Sequence, residues 1–363
     1  MPTVIRTHVP AALPPGTHIP SLDGIRAVAI GLVMLFHARF PYLPGAFAGV
    51  DVFFVLGGYL ITWLLQGECL RNGRVDVRAF YVRRIGRLVP ALLAMLIVYL
   101  CLAPMLWPGK NHPLQAMLAL LGLADYARAF AGVPLYLTHT WSLAVEHHFY
   151  LLWPLLLPWI LRYREPLIPL GGLYLAAWTW RLGCLYMGQE WGEMYYRFDT
   201  RISGLVLGSG LAVLLERPTG RAWIWRYKQY ALVALPMLAM LMLTQSWRDS
   251  AFWRSGLPLL ELAVALLVAG ASMGIGGLGW LSWGWMRFLG KISYGLYLWH
   301  YPIFFYLRDL YGWGHVLAWG GLLSLFMACV SWYTVETWGR RWRAGWLKRR
   351  PSAGGGPAPA TGE

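Results

Sequence analysis

The stretch SLDGIRAVAIGLVMLFHARF, residues 21–40, is apolar almost throughout and carries Arg26 and His37 inside it. Arg26 and His37 lie eleven positions apart. At about 100° per residue, eleven steps return to within about 20° of the starting direction, so both side chains share one helix face. At about 1.5 Å per residue they stand about 16 Å apart along the axis, roughly half the hydrocarbon thickness of a bilayer. A cation and an imidazole on one face of a membrane helix are costly against lipid. That face is therefore expected to look into a cavity and to mark a function.

The rest of the chain follows the same pattern. It is 58% hydrophobic and 13% charged, with a mean hydropathy of +0.49; soluble proteins carry about 25% charged residues. This predicts an all-α polytopic membrane protein, a single bundle of about ten transmembrane helices. Apolar stretches lie near 22–40, 47–66, 85–106, 142–161, 167–186, 200–216, 229–245, 256–275, 289–307 and 315–336. The weaker stretch 113–130 contains Asp125 and Arg128 and runs into GVP, so it reads as an interfacial or re-entrant helix. The 22 Trp and 20 Tyr suit interfacial belts.

The net charge is +15 and the pI about 9.9. In a soluble protein this would suggest nucleic acid; here the basic residues fall in short loops, and no nucleic-acid partner is expected. With the N-terminus inside, cytoplasmic loops gather Arg71, Arg74, Arg78, Arg83, Arg84 and Arg87, and the tail adds Arg340, Arg341 and Arg343. The opposite side holds fewer, among them Arg181, Arg197 and Arg201. This bias predicts both termini cytoplasmic, in a cytoplasmic (inner) membrane. The four cysteines are scattered and form no CxxC, so no metal site is expected. Residues 1–20 are Pro-rich without an apolar signal core and read as disordered, with no cleavable signal. Residues 21–341 form the membrane domain, and 342–363, basic and then Gly/Pro/Ala-rich, read as a disordered tail.

Several motifs carry chemistry. Arg26 suits an anionic ligand at the cytoplasmic mouth, and His37, deeper, suits a general base acting on a hydroxyl. In FYVRRIGRLVPALL, residues 80–93, Arg84 and Arg87 sit at i, i+3 near a helix start, an arrangement that suits phosphate. A ligand with several phosphates would engage all three arginines. In HTWSLAVEHHFYLLWPLLL, residues 139–157, Ser142 and Glu146 share a helix face, while His147 and His148 diverge and cannot share a metal. The run GVDVFFVLGGYLIT, residues 49–62, sets Asp51 at an outer helix end, and its pair Gly57–Gly58 permits close helix packing. In LGKISYGLYLWHYPI, residues 289–303, Tyr294, Tyr297 and His300 read as an amphipathic belt. Glu336, before a run of arginines, reads as a structural ion pair.

Taken together and in order, these motifs resemble the acyltransferase 3 (OafA-like) family of integral membrane O-acyltransferases. The resemblance runs from Leu22 to about Arg341. It implies transfer of an acyl group, usually acetyl, from cytoplasmic acyl-CoA to a hydroxyl of a carbohydrate or other acceptor. Membrane lipid and a separate periplasmic protein are the further partners it admits, and the donor is acetyl-CoA with no metal. The family's Arg-x10-His signature falls on Arg26 and His37, its Arg-x-x-Arg motif on Arg84 and Arg87, and its acidic residue on Glu146. Arg26, Arg84 and Arg87 would then hold the CoA phosphates. His37 would act as base or transient acyl carrier, and Glu146 would orient or polarise His37 or the acceptor. The chain departs from the family pattern at AVEHHFY, where Glu-Gln is usual in place of His147–His148, and at VLGGY, where Gly57 replaces a serine. The rival class is a multi-span transporter or flippase. The clustering of arginines at one membrane face favours a ligand headgroup over a translocation path.

Overall fold

The computed structural model describes residues 10–348, and among these there is helix and no strand. Six segments are long and apolar enough to cross a membrane: Pro20–His37, Pro44–Asn72, Val77–Leu106, Trp191–Glu216, Phe252–Ser272 and Trp313–Leu347. A bent pair, Pro218–Arg226 and Gln229–Thr244, meets at 66° and would make a seventh. Thr140–Ile160, Leu167–Tyr186 and Gly284–Leu307 match further stretches of the sequence reading and are long enough to span. They fall outside those six on apolar character, being interrupted by Trp, Tyr and other less apolar residues.

Helix α1 is Pro20–His37, opened by a proline whose missing N–H costs nothing there. Helix α2 is Gly49–Asn72 and α3 is Val77–Leu106, whose first turn is capped by Asp76 accepting from the Ala79 amide at 2.9 Å. The weak stretch becomes two short helices, α4 (His112–Leu121) and α5 (Ala124–Ala131), broken at Gly122 with φ 68°. At about 1.5 Å per residue neither is long enough to span, as the interfacial reading expects. Then follow α6 (Thr140–Ile160), α7 (Leu167–Tyr186), α8 (Trp191–Tyr196), α9 (Phe198–Glu216), α10 (Pro218–Arg226), α11 (Gln229–Thr244), α12 (Leu257–Ser272) and α13 (Gly284–Leu307). The last helix, α14, is Trp313–Leu347 and passes through two π-turns, Val316–Gly320 and Trp332–Glu336.

Glycines set the closest packing. A Cβ on Gly58 would lie 1.9 Å from the Leu205 carbonyl oxygen, and one on Gly208 1.9 Å from that of Val55, so α2 and α9 touch backbone to backbone. Gly290 meets the Asp23 carbonyl in the same way and draws α13 onto α1. Large apolar side chains point outward, Met105 at 80% exposure and Ile168 at 73%, as a lipid-facing surface requires. Two charged residues that the sequence reading places on the outer side, Arg181 and Arg201, are instead fully buried. Arg201 pairs with Asp51 at 2.7 Å, and Arg181 donates to Ser203 at 2.9 Å. Ser203 donates to Glu261 at 2.5 Å. Two cations and two acids thus neutralise one another inside the bundle.

Gly16 to Ile19 line a cavity, and His18 contacts Asp23 at 2.6 Å. Residues 1–9 and 349–363, parts of the two segments read as disordered, lie outside the described residues.

Candidate active site

One cavity of about 680 Å³ is lined by Arg26, Arg84, Arg87, Glu146, Arg340 and Arg343, among others. It gathers the N-terminal halves of α1, α3, α6 and α13 with much of the length of α2 and the C-terminal part of α14. The three arginines chosen from sequence spacing therefore do converge. Arg26 donates through Nε to Ser293 Oγ at 3.2 Å. Arg84 lies over the rings of Phe80 and Tyr150, at 5.4 and 5.5 Å, which orients its planar fork. Its Nε is buried with no hydrogen-bond partner among the described residues. Lys291, Arg340 and Arg343 join the same wall; their loop or tail positions in the sequence disguise this.

Ser142 and Glu146 both line this cavity, as a shared helix face requires. Tyr150 donates to Glu146 Oε2 at 2.6 Å, and the carboxylate lies within electrostatic reach of Arg26, Arg84 and Arg87. Gly57 opens onto the same space, 3.8 Å from a Glu146 oxygen for an added Cβ. Glu336 lines it too; it accepts from Ser331 at 3.3 Å and makes no ion pair within contact distance among the described residues. The structural ion pair read at Glu336 is thus replaced by a carboxylate facing a cationic chamber.

His37 lines a second cavity of about 170 Å³, with Thr138, Trp141, Tyr195, Tyr301 and Arg308 among its walls. This cavity gathers the C-terminal ends of α1 and α13, the opposite ends of those two helices from the first, with the N-terminal ends of α2 and α6. Val50 and Tyr297 line both. Tyr297 is fixed there: its hydroxyl donates to the His139 carbonyl at 2.7 Å and lies 2.5 Å from Ser142 Oγ.

The polar partner of His37 is His300, not Glu146. His37 Nδ1 lies 2.9 Å from His300 Nε2, and His300 Nδ1 lies 3.0 Å from the Leu296 carbonyl. A carbonyl only accepts, so His300 Nδ1 donates. For two neutral imidazoles, His300 Nε2 then accepts from His37 Nδ1–H. His37 Nε2 is left with a free lone pair. His300, read from sequence as part of a belt, thus buttresses the candidate base. The signal was present in the i, i+3 pair Tyr297 and His300 on a polar face. His147 and His148 lie elsewhere: His147 packs against Gly122, and His148 contacts buried Asp125 at 3.2 Å. Among the described residues no group of three or more His, Cys, Asp or Glu is placed to hold a metal ion.

Comparison with known proteins fits this geometry. Residues 19–336 match the family described as an acyltransferase domain, acyltransferase 3. The chain belongs to that family. It is 30% identical to the O-acetyltransferase OatA of Staphylococcus aureus (strain NCTC 8325 / PS 47), over 88% of this chain and 57% of that protein. It is 32% identical to YrhL of Bacillus subtilis (strain 168), over 86% and 53%. The peptidoglycan O-acetyltransferase OatA of Listeria monocytogenes is 30% identical over 79% and 49%. The chain spans about half the length of these relatives. No solved structure matches.

Proposed function

We propose that the protein transfers an acetyl group from acetyl-CoA to a hydroxyl of a cell-envelope carbohydrate, with His37 as general base. The observation that carries this reading is the pair of adjoining cavities at opposite ends of α1 and α13. One is lined by Arg26, Arg84 and Arg87, the other by His37, and they share the wall Val50–Tyr297. The arginines suit the phosphates of CoA, for which a guanidinium fork is the better partner. The pantetheine arm then runs along α1 toward Tyr297 and brings the thioester to the shared wall.

In the chemical step the acceptor oxygen forms a bond to the thioester carbonyl carbon as His37 Nε2 takes its proton. The C–S bond breaks, and the CoA thiolate leaves and takes the proton from the imidazolium. Glu146 and Tyr150 set the charge balance of the donor chamber and orient its arginines. The ten helices α1, α2, α3, α6, α7, α9, α11, α12, α13 and α14 span a cytoplasmic membrane with both termini inside, so donor and acceptor enter from opposite sides. The names of the relatives make peptidoglycan a first acceptor to try.

The test uses purified full-length protein in proteoliposomes with acetyl-CoA and an envelope glycan preparation. His37→Ala is expected to lose transfer by about 10²–10⁴ while acetyl-CoA binding persists. Arg84→Ala and Arg87→Ala are each expected to weaken acetyl-CoA binding by about 10-fold or more. Transfer by His37→Ala at the wild-type rate would end the assignment of the base.

A further inference from the structure

The second cavity differs from the first in size and charge. Its volume of about 170 Å³ is a quarter of the donor chamber's 680 Å³. That is below the usual range of about 300–1,000 Å³ for sites that enclose a drug-sized ligand, so it suits one ring and not a nucleotide. Its walls are aromatic, including Trp141, Tyr195, Tyr196, Trp247 and Tyr301. Such rings offer flat apolar faces with polar edges, the complement of a sugar ring that carries C–H groups on its faces and hydroxyls at its rim.

The only cation among its lining residues with a permanent charge is Arg308, and no Asp or Glu lines it. The guanidinium of Arg308 rests 4.1 Å over the Phe305 ring, which fixes its plane. Its Nε is buried without a hydrogen-bond partner among the described residues. No described carboxylate lies within ion-pair distance of it. A guanidinium held on a low-dielectric wall without a counter-charge is complementary to an anion.

We infer that this cavity is the acceptor pocket and that it takes a single sugar ring bearing a carboxylate, stacked among the aromatic side chains and read by Arg308. The inference rests on the acyl-transfer reading. A hydroxyl of that ring faces His37 Nε2, and Val50 and Tyr297 bring it to the wall that the donor chamber shares.

The experiment uses the full chain in proteoliposomes with acetyl-CoA and two soluble probes, methyl β-D-glucuronide and methyl β-D-glucoside, beside an envelope glycan preparation. Acetyl transfer to each is read by mass spectrometry. Wild type is expected to prefer the glucuronide by about 10-fold or more in kcat/KM. Arg308→Gln is expected to raise KM for the glucuronide by about 10- to 100-fold and bring the ratio of the two acceptors near one. Arg308→Lys is expected to restore part of the preference, and acetyl-CoA binding by Arg308→Gln reports that the variant is folded. Equal use of both probes by wild type, or an unchanged ratio in Arg308→Gln, would overturn the pocket assignment while acyl transfer stands. Absence of transfer to all three acceptors by wild type would instead overturn acyl transfer and the pocket with it.

Discussion

His37 owes its proposed role to a neighbour 263 positions away in sequence. An imidazole can carry its proton on either nitrogen, and the hydrogen bond at one ring nitrogen decides what the other can do. Here Leu296 orients His300, and His300 orients His37. His300→Phe removes the acceptor for His37 Nδ1–H. We expect kcat to fall by about 10- to 100-fold, with KM for acetyl-CoA unchanged, since His300 lines neither cavity. His300→Gln, whose side-chain oxygen accepts near the same place, should recover part of the loss. Steady-state kinetics on the two variants separate positioning from simple misfolding. Arg26 and His37 were legible in the sequence because eleven steps on a helix bring two residues into line. His300 was legible only as a polar-face neighbour of Tyr297, and Arg308 not at all, because nothing local to either says which helix it will face.

At the scale of helices, two adjacent glycines have opposite duties. A Cβ at Gly58 would meet the Leu205 carbonyl, whereas a Cβ at Gly57 would meet nothing closer than 3.7 Å. Gly58→Ala should therefore push α2 from α9 and destabilise the fold by about 1–3 kcal/mol. Gly57→Ala should be tolerated. Thermal unfolding in detergent distinguishes the two; equal effects would contradict the packing described. The Asp51–Arg201 ion pair and the hydrogen-bond chain Arg181–Ser203–Glu261 tie α2, α7, α9 and α12 together. Arg201 is also flanked by Phe54, Trp141, Tyr195 and Trp253, with centroids 5.0–5.9 Å away. Asp51→Asn leaves a buried guanidinium without its counter-charge, a change worth about 3–5 kcal/mol. The expected result is a large drop in the detergent unfolding midpoint. Since Trp141 and Tyr195 also line the second cavity, any folded fraction should lose acceptor use before donor binding. Sequence reading set Asp51, Arg181 and Arg201 at outer helix ends and did not single out Glu261, since the burial of a charge depends on partners from other helices.

At the scale of the whole molecule, the direction of the helices makes a prediction. The arginine cavity takes the N-terminal parts of α1 and α13 and the His37 cavity their C-terminal ends, and the proposed ten-span arrangement puts those ends on opposite sides of the membrane. In a variant lacking the free cysteines Cys69, Cys101, Cys184 and Cys329, single cysteines placed at Arg74 and Arg164 should react with a membrane-impermeant thiol reagent only from the cytoplasmic side. Those placed at Met187 and Tyr311 should react only from the outside. Labelling of Arg74→Cys and Met187→Cys from the same side would contradict the ten-span arrangement.

The sequence by itself determined that this is a helical membrane protein of the acyltransferase 3 family. It also marked Arg26, His37, Arg84, Arg87 and Glu146 as the polar residues to watch. Those conclusions depend on helical period, apolar length and local motif, which a linear chain displays. Only the tertiary structure divided the five between two cavities, put Glu146 with the arginines, and gave His37 its partner in His300. It also turned Arg181 and Arg201 from outer-side cations into buried ones. The physical reason is common to all of these. In a membrane interior a polar group is tolerated only against a complementary one, and here that complement comes from a helix distant in sequence, whose identity packing alone decides.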